Sequence, residues 1–141
     1  MKRILVGVDG SKESRDAAAY AADLAQALGS QLLVASIADL PVALAAPELV
    51  QRAAEWQEEA SKQSAAITKE IARFVARSGL TVETLVEAGP PAETLAELAR
   101  AGDVDLVVVG HRGRNAISRV LMGSVADRLV QICSKPVLVV R

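Results

Sequence analysis

The sequence predicts an α/β fold: a single three-layer domain in which an open, parallel, five-stranded sheet is flanked by four helices. Three observations predict it. Short runs rich in Val, Ile and Leu, with little polar alternation, suit strands buried on both faces. Between them lie stretches whose apolar residues recur every three or four positions, as in helices that cover a sheet. The two kinds of segment alternate along all 141 residues, with no internal repeat, low-complexity tract or linker, as successive β-α-β units require.

"RILVGVD", from Arg3, is the first strand. Ser11 can cap the next helix, whose apolar face recurs at Ala17, Ala21, Leu24 and Leu28, and Gly29 can stop it. "QLLVASI" is the second strand. "ADLPVALAAP", Ala38 to Pro47, breaks both periodicities with two prolines and is expected to be a mobile loop over the sheet edge. From Pro47 to Ser78 a long amphipathic helix is predicted, ending near Gly79, with Leu49, Ala53, Trp56, Ala60, Ile67, Ile71 and Phe74 on one face. "LTVETLVEA" is the third strand. Pro91 suits the first turn of a helix carrying Leu95, Leu98 and Ala99 before Gly102, and "DLVVVG" is the fourth strand. Ser124, with Asp127 three residues on, reads as a capping box for a last helix with Val125, Leu129 and Ile132 on one face. "PVLVVR" is the fifth strand, apolar on both faces, and an unpaired edge of that kind invites association.

Composition removes several function classes. With 51% hydrophobic residues and a mean hydropathy of +0.27, the chain can bury a core without disulfides or metal. Its 16 Lys and Arg against 17 Asp and Glu leave a net charge of -1, so no global positive field would hold a nucleic acid or an anionic membrane. Aromatic residues make up 2%, too few for the stacking platforms of single-strand binders. Neither nucleic acid nor membrane is therefore expected as a partner. No apolar run reaches the ~18 residues of a membrane span. "MKRILVGVDGS" is interrupted by Gly7 and Asp9 and reads as a strand, not a signal peptide. Cys133, the single cysteine, has no disulfide partner and with one His cannot build a usual zinc site, which fits a reducing, cytoplasmic setting. It reads as a small buried hydrophobe.

In open α/β sheets ligands bind at the carboxyl ends of strands, where strand order reverses. The first strand ends at Asp9 and Gly10, the fourth at Gly110. Ser124 stands fourteen positions after Gly110, although such connections usually take roughly 2–6 residues. Gly110 and Gly113 let a ligand approach the main chain, while Gly123 and Ser124 offer amides and a hydroxyl at a helix N-terminus that favours an anion. Arg112, Arg114 and Arg119 lie in this stretch, and no acidic residue occurs between Asp105 and Asp127. A polyphosphate is the natural guest. Asp9 is a ligand candidate by position, helix capping being its plainer role. His111, alone and without a paired acid, is expected to be solvated, and Trp56 to pack in the core or at an interface.

No G-x-G-x-x-G follows the first strand and no G-x-x-x-x-G-K-[ST] occurs. Instead Gly110-x2-Gly113-x9-Gly123-Ser124 resembles the ATP-binding signature of the universal stress protein family. The resemblance runs through "ILVGVDGS", "GPPAETL", "DLVVVGHRGR", "LMGSVADRLV" and "KPVLVVR". It implies one universal stress protein domain over residues 1–141, of the adenine nucleotide alpha hydrolase-like kind, with strand order 3-2-1-4-5. It also implies that the chain binds ATP with Mg2+ on the phosphates. Carried over by position, Asp9, after Gly7 and Val8, would meet the ribose or the metal, and the Ile37 backbone would read the adenine edge. Gly110, after Val109, would lie against the ribose. Gly113, Gly123, Ser124 and the amides of Val125 and Ala126 would hold the phosphates, with Arg112 added on charge. The chain departs from the family at His111, where small polar residues are frequent, and at Ser36-Ile37-Ala38, where a histidine often precedes the adenine-reading position. A homodimer through the last strand, Val137 to Val140, is implied as well.

The function so implied is a nucleotide-responsive stress-response regulator acting through conformation or partner binding. The alternative is a slow ATPase or phosphotransferase, for which only Asp9 and His111 stand near the phosphates and no catalytic residue is assigned. A phosphoacceptor receiver is disfavoured, because Glu87-Ala88-Gly89 replaces the acceptor Asp and Lys135 precedes the last strand. No feature of the sequence names a downstream partner.

Overall fold

The computed structural model describes residues 1–39, 47–113 and 122–141, the side chains of 47–51 excepted. Nine elements alternate along it: β1 (Arg3–Gly7), α1 (Lys12–Leu28), β2 (Gln31–Ala38), α2 (Pro47–Val75), β3 (Val82–Ala88), α3 (Pro91–Ala101), β4 (Leu106–Gly110), α4 (Ser124–Ile132) and β5 (Val137–Val140). The strands form one parallel sheet in the order β3-β2-β1-β4-β5, with Leu5 opposite both Leu33 and Val107. Three-layer architecture and strand order are as the sequence implies.

Side-chain alternation along the central strands sorts the core into two layers. Ile4, Val6, Val8, Leu32, Val34, Leu106 and Val108 point to α1 and to Ile71 and Val75 of α2. Leu5, Leu33, Ala35, Val107 and Val109 point to the other side, against Ala92, Leu95 and Ala99 of α3 and Ala126 and Leu129 of α4. Five buried alanines, Ala17, Ala18, Ala21, Ala22 and Ala25, let α1 lie close against the sheet. Ser11 caps α1 as expected, its Oγ accepting from the Ser14 N–H at 3.1 Å, and Gly29 at φ 66° closes the helix.

Several sequence expectations need correction. The long helix ends at Val75 and the third strand begins at Val82, three and two residues inside the expected bounds. Ala38 still belongs to β2 and Pro47 already opens α2; the loop expected between them otherwise falls outside the described residues. Leu28, Trp56 and Phe74 lie on expected apolar faces yet are exposed. Leu28 stands at the very end of α1, and Arg15 covers one face of the Phe74 ring, 4.0 Å from its centroid. Trp56 falls on the first half of α2, a helix of about 43 Å at 1.5 Å per residue, longer than the strands beneath it. Finally, Ser124 is not the cap of α4: Gly123 is, with φ -63° and ψ 157°, and this cap makes no side-chain hydrogen bond. The capping box gives way because the extended cap position falls one residue earlier.

Candidate functional site

The connection after β1 runs through α1 to β2, on one side of the sheet, and the connection after β4 runs through α4 to β5, on the other. The chain therefore parts at the carboxyl ends of β1 and β4, and a cavity of about 300 Å3 opens there. All twelve sequence candidates line it: Gly7, Val8, Asp9, Ile37, Val109, Gly110, Arg112, Gly113, Gly123, Ser124, Val125 and Ala126. Arg114 and Arg119 lie outside the described residues.

The glycines sit where the main chain crowds. A Cβ on Gly110 would come within 2.8 Å of the Glu13 carbonyl carbon and oxygen, so β4 can end against the first turn of α1 only without a side chain. A Cβ on Gly113 would stand 2.6 Å from Asp9 Oδ2, and one on Gly123 would stand 3.0 Å from the Arg112 Cα. The Gly123 N–H donates to the His111 carbonyl at 2.5 Å and so ties the start of α4 to the end of β4. The amides of Ser124, Val125 and Ala126 belong to the first turn of α4, where no helical carbonyl is available to them, and these residues border the cavity. The positive end of the helix dipole points to the same place.

Asp9 is braced from both sides: its Oδ1 accepts from the Ser11 N–H at 2.9 Å, and its own N–H donates to Ser14 Oγ at 3.2 Å. Its carboxylate thus helps shape the entry to α1 and still reaches Gly113. Arg112 is engaged as well. Its Nη2 lies 3.0 Å from Glu13 Oε1 and its Nε donates to His111 Nε2 at 2.9 Å. His111 is consequently half-buried and not the solvated side chain expected, and its Nδ1 is buried without a hydrogen-bond partner among the described residues. Outside the cavity lining, Arg128 of α4 pairs with Glu93 of α3 at 3.1 Å. Glu93's own backbone N–H first, and then Arg128, hold that carboxyl below its usual range.

At the other end β2 outruns β1. The Ala35 carbonyl accepts from the Val8 N–H on the β1 side, and the Ala38 carbonyl accepts from the Gly89 N–H on the β3 side. Alternate residues of a strand share a bonding direction, so the N–H and C=O of Ile37 face the gap left where β1 turns into α1. Across that gap stand Ala60, Gln63, Ser64 and Ile67 of α2, together with Ser36, residues that sequence reasoning missed as part of a site. One signal was present: the apolar stripe of α2 steps seven residues from Ala60 to Ile67, and the position skipped is Ser64.

The profile of the Universal stress protein family matches residues 1–141. The chain belongs to that family. A universal stress protein of Thermus aquaticus is 34% identical over 144 residues, covering 99% of this chain and 98% of that protein. Among solved structures, universal stress protein UspA from Lactobacillus plantarum superposes with a TM-score of 0.90 at 27% identity, over 99% of this chain and 97% of that one. A universal stress protein in complex with cAMP is 26% identical, with a TM-score of 0.66, over 99% and 96% of the two chains. In this universal stress protein no group of three or more metal-ligating side chains occurs among the described residues. Nor is any described helix long and apolar enough to cross a membrane.

Proposed function

We propose that this universal stress protein binds ATP, with Mg2+ on its phosphates, and acts as a regulator whose conformation or choice of partner changes with the bound nucleotide. One observation carries the reading: a single cavity runs from the backbone of Ile37 past Asp9 and the glycine loop to the N-terminus of α4. Each part suits a different portion of a nucleotide. The Ile37 N–H and C=O offer the donor and acceptor that an adenine edge requires. Gly110 and Val109 give a side-chain-free floor against a ribose, beside Gly7, Val8 and Asp9. Gly113, Gly123, Ser124 and the amides of Val125 and Ala126 form an anion cradle to which Arg112 adds charge.

The cation fits the same arrangement. Mg2+ is habitually held by one or two carboxylates, substrate phosphates and water, without an all-protein cage, and the Asp9 carboxylate lies against Gly113 in the cradle. Bound there, Mg2+ would neutralise part of the phosphate charge. The relative in complex with cAMP supports an adenine nucleotide as the ligand class. A cytoplasmic setting belongs to this reading, supported by a single cysteine that has no disulfide partner in the chain.

The reading extends to a homodimer through β5. The two sheet edges differ: β3 exposes Glu83, Thr84 and Glu87, whereas β5 is Val137, Leu138, Val139 and Val140, all half-buried. An apolar edge without charges is the one that strand pairing with a second copy would cover.

The test is to heat-denature freshly purified protein, identify any released nucleotide by chromatography, and titrate Mg-ATP into protein that releases none. ATP released or bound, and lost in Gly113→Val and Gly123→Val, is the expected result. Failure to bind ATP, or undiminished binding by both variants, overturns the reading.

A further inference from the structure

Two serines interrupt the apolar layer between β2 and α2. Ser36 is 2% exposed and Ser64 is 5% exposed, and both border the cavity. Among the described residues neither hydroxyl has a hydrogen-bond partner, whereas the neighbouring Thr68 hydroxyl donates to the Ala65 carbonyl at 3.0 Å. Ser36 alternates with Leu32 and Val34, so it points to the same side of the sheet as they do, toward α2. Ser64 stands one turn before Ile67 and two before Ile71, on the face of α2 that packs on that layer. Two hydroxyls without partners among the described residues thus border one cavity from facing elements and are open to it. A ligand group that displaces solvent there must hydrogen-bond them or leave them unsatisfied.

The charges lining the cavity say which end of a ligand comes here. Arg112 and the α4 N-terminus make the far end positive, while among the described residues the only ionisable side chain lining this end is Asp39. A phosphate is repelled here. A neutral group with both donors and acceptors suits hydroxyls, which do both.

We propose that Ser36 and Ser64 form a subsite that hydrogen-bonds the purine base and sets selectivity for it. The proposal rests on the nucleotide reading above and deepens it: the Ile37 backbone meets the base in the plane of the sheet, and the two hydroxyls meet it from the α2 side.

The experiment compares wild type, Ser36→Ala and Ser64→Ala with three probes: Mg-ATP, adenosine and inorganic tripolyphosphate. Each substitution is expected to weaken ATP and adenosine about two- to tenfold, the worth of one neutral hydrogen bond, and to leave tripolyphosphate binding unchanged. Each is also expected to leave the melting temperature of the ligand-free protein unchanged, because the hydroxyl bonds no group among the described residues. A loss of affinity without a loss of stability separates a ligand contact from a packing role. Wild-type affinities for ATP and adenosine in both variants overturn the subsite, as does an equal loss for all three probes, and either leaves the nucleotide reading standing. A wild-type protein that takes tripolyphosphate but neither ATP nor adenosine overturns the nucleotide reading itself, and the subsite with it.

Discussion

Arg112, which lines the cavity, pairs with Glu13, Nη2 3.0 Å from Oε1, with only 21% and 27% of their side chains exposed. The cation that the sequence assigns to an incoming phosphate is thus held by a carboxylate from the first turn of α1. On the proposed reading, the nucleotide phosphates and Glu13 would compete for one guanidinium.

Glu13→Gln removes the competing charge and keeps the shape. ATP and tripolyphosphate should bind about two- to fivefold more tightly in this variant, the range of an incompletely shielded ion pair. Arg112→Ala should weaken both about tenfold or more, since a charge-assisted hydrogen bond is lost. Titration calorimetry at two salt concentrations checks the pair. Weaker binding by Glu13→Gln would mean that Glu13 positions Arg112 more than it competes with the ligand.

Gly110→Ala and Gly113→Ala should fail in different ways. The new methyl at Gly110 meets the Glu13 main chain at 2.8 Å, which cannot rotate aside, so folding should weaken by about 1–3 kcal/mol. The methyl at Gly113 meets the Asp9 carboxylate at 2.6 Å, a side chain that can turn aside only by giving up part of its bonding, such as the bond from the Ser11 N–H. Stability should therefore fall less there than at Gly110 while ATP binding falls, because the floor of the anion cradle has moved. Urea unfolding and ATP titration of both variants give the four numbers needed; equal stability losses would refute the distinction.

Asp105 should contribute to acid sensitivity, beside Glu93, whose carboxyl is also held below its usual range. Its Oδ2 accepts from the Lys2 N–H at 2.6 Å and from the Arg3 N–H at 3.3 Å, fastening the start of β1 beside the start of β4. The Lys2 N–H chiefly, and then the Arg3 N–H, hold this carboxyl below its ordinary value. A depressed folded-state value means that the stabilisation is complete above the unfolded value, about 4, and is lost as pH falls through the folded one. Asp105→Ala should therefore lower stability at neutral pH and flatten its decline below about pH 4. Unfolding curves at pH 7 and at pH 3 measure this, and parallel declines for the variant and wild type would exclude Asp105 as a source.

Much of this was legible because it rests on local chemistry. Strands buried on both faces leave unbroken runs such as "LVVVG", and Gly29 or Pro91 marks a helix end within its own few residues. The phosphate-side candidates were legible because the glycines and the missing acids lie in one contiguous stretch. The α2 side was not, because a helical serine enters a site only through long-range packing against β2, and a seven-residue gap in an apolar stripe looks like an ordinary skipped turn. The exposure of Trp56 escaped for a related reason: periodicity gives the face of a helix but not how far the sheet extends beneath it. The cap of α4 slipped by one residue because Ser124-x-x-Asp127 satisfies a capping box in composition while the extended backbone falls on Gly123.

The β5 edge offers a substitution that separates assembly from folding. The carbonyls of Pro136 and Val140 accept from the Val107 and His111 N–H groups at 2.9 and 2.8 Å, so even-numbered residues of this strand bond inward to β4. Alternation then turns the N–H groups of Val137 and Val139 outward, to the edge where the proposed second copy would pair. Val139→Pro deletes one outward donor, keeps extended geometry and spares every inward bond, which is the position in a sheet where proline is tolerated. The variant should sediment as a monomer under conditions where the wild type sediments as a dimer, with an unchanged far-ultraviolet spectrum. A dimer that survives Val139→Pro would move the interface off this edge, since a strand pair cannot keep its ladder after losing a central donor.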